Sequence, residues 1–168
     1  MKKIYLFCLL LLCDFVGFTA QVNADTIKQG AKVSVEKAYL RATIPGTTIS
    51  SAYMKMVNHS AESITFNKAT SDISPRIEIH QHTMVDGMMR MRKVNSIAIE
   101  PNRHVKLQPS GLHLMVFDVT KPLKPQQEVE VTLHFSNNDA VTVTMPVYSP
   151  AQEKAVQATV PTTHEHHH

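Results

Sequence analysis

The chain has two cysteines in 168 residues, and both, Cys8 and Cys13, fall inside its first thirteen positions. Residues 1–24 carry Lys2 and Lys3, an apolar run over 4–12 and a small residue at Ala24, the pattern of an export signal removed near Ala24. A mature chain starting there has no thiol, so no disulfide can staple it in an oxidising compartment. A site for a soft metal must then use methionine, and a blue-copper centre with its Cys ligand is excluded. Long hydrophobic runs are also missing. The run over 4–12, followed by Asp14, is too short for a permanent bilayer span. Cys13 follows a leucine run, but Leu12 occupies the place where a lipid-attachment motif needs a small residue, so no stable membrane anchor is expected. Charge is sparse: a net +3, with no basic run interleaved with aromatics, argues against nucleic acid as a partner. No nucleophile-elbow arrangement of Ser, His and Asp is present, so the chain is not expected to be an enzyme.

What remains is alternation. Strands are expected over residues 31–40, 51–57, 63–68, 97–99, 104–107, 112–117, 128–135 and 141–147, separated by turn signals such as Pro45-Gly46, Pro101-Asn102 and Pro109-Ser110-Gly111. Residues 77–94 read as a hairpin about Asp86-Gly87. No stretch after residue 24 has a sustained helical period. Eight or nine short strands imply an all-β, antiparallel β-sandwich with Greek-key connections over residues 25–150. Residues 151–168 are polar, end in His164-Glu165-His166-His167-His168, and read as a flexible His-rich tail.

The residues that carry chemistry lie at 80–115: His80, ten residues, Met91, twenty-one residues, then His113-x-Met115. Two imidazoles and two thioethers form a soft, uncharged donor set suited to Cu(I) and poor for Mg²⁺ or Ca²⁺. With 10 His and 9 Met in the chain, this spacing arises by chance about once in a thousand such sequences, which favours a shared role. His113 and Met115 share one face of their strand, about 6.6 Å apart. A four-residue loop over 84–87 would put His80 opposite Met91, and His82 opposite Met89, with Cβ atoms about 5 Å apart. His82 and Met89 are then candidates for an auxiliary site, and Met84 and Met88 for a docking patch. The tail imidazoles, His164, His166, His167 and His168, suit Cu(II), which prefers nitrogen donors. Met54 and Met56 read as packing, and His59, His104 and His134 as surface residues.

The spacing, together with the words ATIPGTTISSAYMKMVN, DGMMRMRKV and PSGLHLMV, resembles the PCuAC family of periplasmic copper chaperones over residues 33–147. The resemblance implies a cupredoxin-like sandwich and a Cu(I) site near solvent at His80, Met91, His113 and Met115. It also implies a periplasmic protein delivering copper to the CuA centre of cytochrome c oxidase, with oxidase subunit II or another copper chaperone as partner. Two other readings stay open: a copper-storage or resistance protein, and a β-sandwich adhesion or partner-binding module whose His and Met residues are incidental.

Overall fold

Apolar residues at alternate positions give each strand one face to bury, and the sheets follow from that. In the computed structural model, residues 32–136 and 138–158 are described. Ten strands run in order: β1 (Val33–Arg41), β2 (Ser50–Asn58), β3 (Ile64–Thr70), β4 (Arg76–Val85), β5 (Met88–Val94), β6 (Ile97–Ile99), β7 (His104–Leu107), β8 (Leu112–Phe117), β9 (Glu128–Phe135) and β10 (Ala140–Tyr148). A helix, α1 (Pro150–Ala158), follows. The strand order is β5-β4-β8-β2-β1-β10-β9-β3-β6, and β7 also pairs with β2. Strands β8 and β7 share one edge of β2 end to end, at Ser50–Ala52 and Met54–Val57 respectively.

The order divides into two halves that close on one core. Leu40, Ala52, Met54, Met56, Ile79, Leu114 and Val116 come from the β5-to-β1 half. Phe66, Ile99, Val131, Leu133, Met145 and Val147 come from the β10-to-β6 half, and all belong to a single buried cluster. This is the expected β-sandwich, of the cupredoxin-like kind. One element departs from an all-antiparallel plan: β1 and β10 run parallel, pairing Leu40 with Val147 and Arg41 with Tyr148. That pairing joins the two halves, and no local pattern specifies it.

Buried polar groups tie the ends of the strands. Asn58 at the end of β2 is fully buried. Its Nδ2 donates to the carbonyls of Glu62 (2.7 Å), Ile99 (2.9 Å) and Glu100 (3.3 Å), while its Oδ1 accepts from the Ser60 amide and hydroxyl. Every polar atom of the amide is thus satisfied, as burial requires.

Helix α1 corrects the expectation of a flexible tail from residue 151. Its start is a capping box: Ser149 Oγ accepts the Gln152 amide at 3.3 Å and Gln152 Oε1 accepts the Ser149 amide at 2.9 Å. Pro150 fills the first helical position, where a missing N–H is harmless. Glu153, buried, then anchors the helix to β1, accepting from Arg41 Nε (2.8 Å), Arg41 Nη2 (2.6 Å) and Tyr39 Oη (3.2 Å). This contact across more than a hundred residues holds a helix too short to persist alone. The export signal (residues 1–24) and the tail histidines His164, His166, His167 and His168 lie outside the described residues. Among the described residues no helix is long and apolar enough to cross a membrane.

Candidate metal centre

Strands β5, β4 and β8 are neighbours, so the 80–115 residues meet on one sheet. Across β4 and β8, His80 opposes His113 and Glu78 opposes Met115. Across β4 and β5, His82 opposes Met91 and His80 opposes Lys93. Opposed residues share a face, and residues two apart on a strand do too. His80, His82, Met91, His113 and Met115 therefore all stand on the outer face, with Ile79, Leu114 and Val116 in the core behind them.

The hairpin register differs from the sequence expectation. A four-residue loop sets His80 opposite Met91, and His82 opposite Met89. Instead Val85 pairs with Met88 around a two-residue turn, Asp86 (φ 53°) and Gly87 (φ 76°). Both turn residues occupy the left-handed region, as a type I′ turn requires, and Asp-Gly is its favoured pair. A slip of two residues preserves the face, unlike a slip of one. Met91 is consequently diagonal to His80, and Met89 opposes Met84 rather than His82.

Hydrogen bonds orient the imidazoles. His113 is 2% exposed, and its Nδ1 donates to the Gly111 carbonyl at 3.1 Å, which leaves the Nε2 lone pair for a ligand. The same carbonyl accepts the His82 amide at 3.2 Å. His80 Nε2 donates to Glu78 Oε2 at 3.0 Å, so in the neutral ring Nδ1 carries the lone pair. The Nδ1 atoms of His80 and His82 are both buried without a hydrogen-bond partner. Such orphaned nitrogens are costly unless something binds them, and an imidazole lone pair suits copper. The His82 ring stacks on His113 at 5.0 Å between centroids, and His80 lies 6.0 Å from His113.

Electrostatics favour a neutral His113 ring on a face that also carries one anion, Glu78. Burial pushes the His113 pKa down, opposed by the Gly111 hydrogen bond, with His82, His80 and Arg41 adding to the downward shift. Glu78 is held below the usual carboxylate range, first by the His80 hydrogen bond, then by Lys93, whose Nζ lies 3.0 Å from Oε1.

Sequence reasoning missed three contributors. Glu78 orients His80, Tyr53 lies 6.4 Å from the His113 ring, and Phe117 lies 5.8 Å from His80. Glu78 had a readable signal, because it shares its strand parity with His80 and His82. Among the described residues no three His, Cys, Asp or Glu side chains gather as a metal-binding group. Met91 is 44% exposed and Met115 half-buried, which leaves the face open to solvent. A cavity of about 550 Å³ lies elsewhere, between β1, β2, β7 and α1, with Tyr53 in its wall; it contains none of the four residues. Met54 and Met56 pack in the core. His59 and His104 are exposed and His134 is half-buried.

A family model described as "Putative lipoprotein LpqE-like" matches residues 33–147, well over half of the chain. The chain belongs to this LpqE-like, PCuAC-type family. This LpqE-like chain is 29% identical over 129 residues to a protein of Leifsonia xyli subsp. xyli named as a putative lipoprotein, covering 75% of the chain and 76% of that relative. Its fold is that of a structure titled the copper-bound PCuAC domain from PmoF2: TM-score 0.62, 24% identity, 71% of this chain and 95% of the other. It is also similar to the Cu(I) form of DR1885 from Deinococcus radiodurans, with TM-score 0.58 and 26% identity over 71% of this chain and 80% of the other.

Proposed function

We propose that this protein is a periplasmic copper carrier, exported by a signal cleaved near Ala24, that holds Cu(I) as cargo through His80, Met91, His113 and Met115. The observation that carries the reading is the register of β5, β4 and β8, which gathers these residues on one open face beside two unpartnered imidazole nitrogens. Two solved relatives of the same fold are described as copper-bound. The function requires no reaction on a substrate. Neutral nitrogen and thioether donors leave the single charge of Cu(I) uncompensated, so the ion is held firmly yet passes on by exchange of one ligand at a time. Thiolates would hold it harder and would oxidise outside the cytoplasm. The client we propose is the CuA centre on subunit II of cytochrome c oxidase, or another copper chaperone, and the tail histidines His164, His166, His167 and His168 are proposed to capture Cu(II).

Competition of the purified protein against a Cu(I) chelator tests the core of this reading. One tight Cu(I) per chain is expected. Met91→Leu and His113→Ala should each weaken it by more than the about ten- to hundredfold that follows loss of an outer partner. Unchanged affinity in both variants would remove the carrier reading.

A further inference from the structure

Apart from the half-buried Met115, the described methionines fall into two populations. Met54, Met56 and Met145 are sealed in the core, as apolar side chains of that size ordinarily are. Met84, Met88, Met89 and Met91 are 65, 55, 58 and 44% exposed, and all four belong to the β4–β5 hairpin. Packing does not account for them there. Among the described residues, strand β5 is the edge of the sheet and pairs with β4 alone.

Their arrangement is ordered by the turn. The Asp86-Gly87 pair fixes the register, so Met84 and Met89 oppose each other, with Cβ atoms about 5 Å apart. The next opposed pair on the same face is His82 and Met91, about 6.8 Å further along the strands. Beyond it stands His80, with His113 across from it on β8. Soft donors therefore line one face from the hairpin tip to the buried imidazoles, with no gap longer than two residues. Met88 is as exposed as the others but opposes Val85 and points to the opposite face.

We propose that Met84 and Met89 form an outer station for a monovalent soft cation, with Met91 as a ligand shared with the inner centre. Cu(I) enters and leaves through this station. No electron is transferred: thioether sulfurs replace one another on the ion in turn, Met84 and Met89 giving way to Met91 and then to the imidazoles. A harder divalent ion finds no oxygen or charged donor in this pair. The inference deepens the carrier reading and rests on it.

The test is a titration of the purified protein, labelled with ¹³C at its methionine methyl groups, with Ag(I) as a redox-inert stand-in for Cu(I). The first equivalent should shift the methyl signals of Met91 and Met115, and the second those of Met84 and Met89, while Met88 stays in place. A Met84→Leu/Met89→Leu double variant should keep the first equivalent, lose the second, and take up Cu(I) from a chelator more slowly at unchanged final occupancy. Met84 and Met89 signals that stay fixed, or Met88 moving in step with them, would overturn the outer station. Fixed signals at Met91 and Met115 would instead remove the inner centre, and with it the carrier reading that the station serves.

Discussion

Glu78 touches no proposed ligand atom of the cargo, yet it should govern affinity through His80. Its Oε2 holds His80 Nε2 at 3.0 Å, which fixes the tautomer with the lone pair on the buried, unpartnered Nδ1. Carboxylates in this position orient and strengthen imidazole ligands, and losing one weakens metal binding about ten- to a hundredfold. Glu78→Gln keeps an acceptor of the same shape and loses the charge, so the lower end, about tenfold, is expected. Glu78→Leu removes the acceptor and frees the ring to flip, so the loss should approach a hundredfold. The other carboxylate oxygen meets Lys93, whose side chain is 56% exposed; exposed ion pairs contribute little, and Lys93→Ala should stay within about twofold of the parent. Chelator competition for Cu(I) reads all three. In a His80→Ala background the Glu78 substitutions should have no further effect, because the path through which they act is gone. Equal affinity for Glu78→Leu and the parent, or an undiminished effect once His80 is removed, would refute the orienting role.

Three further outcomes follow from other parts of the fold. Asn58→Ala leaves the carbonyls of Glu62, Ile99 and Glu100 without their shared donor, and should lower unfolding free energy in urea by about 3 kcal/mol; a loss below about 1 kcal/mol would mean that water takes the vacant places. Glu153→Ala unlocks α1 from Arg41 and Tyr39, so amide exchange in 150–158 should accelerate while the core strands keep their protection. Burial raises the pKa values of Tyr39 and Tyr53 above the ordinary 10.0. The fold therefore favours the neutral phenols: this stability is intact below pH 10 and falls as pH rises through the raised folded-state values. Urea midpoints measured from pH 9 upward should decline past pH 10, with tyrosinate absorbance lagging that of the unfolded chain, and midpoints flat beyond pH 10 would contradict it.

Alternation made the strands legible because each buries one face. The expected bounds of β6, β7, β8 and β9 coincide with those observed, and the shared face of His113 and Met115 follows from period two alone. The hairpin register differs from the sequence reading because Asp-Gly closes a two-residue I′ turn in place of a four-residue loop. His82 is legible as an auxiliary candidate, but its contact with His113 is not. Its ring meets His113 only because β8 inserts between β4 and β2, and strand order is a tertiary outcome that no local pattern carries. The parallel β1–β10 pair was illegible on the same ground. Helix α1 was half legible: Ser149, Pro150 and Gln152 spell a capping box, but nine residues without an apolar stripe give no period, and its hold comes from Arg41, over a hundred positions away.

The Gly111 carbonyl takes hydrogens from two donors at once, the main-chain amide of His82 and the ring of His113. One oxygen thereby couples the backbone of β4 to a side chain on β8, and a tilt of that ring alters how much of the oxygen the amide can claim. The amide of His82 is in this sense a gauge fitted beside the centre, whose rate of solvent exchange reports the pose of a ring two strands from the sheet edge.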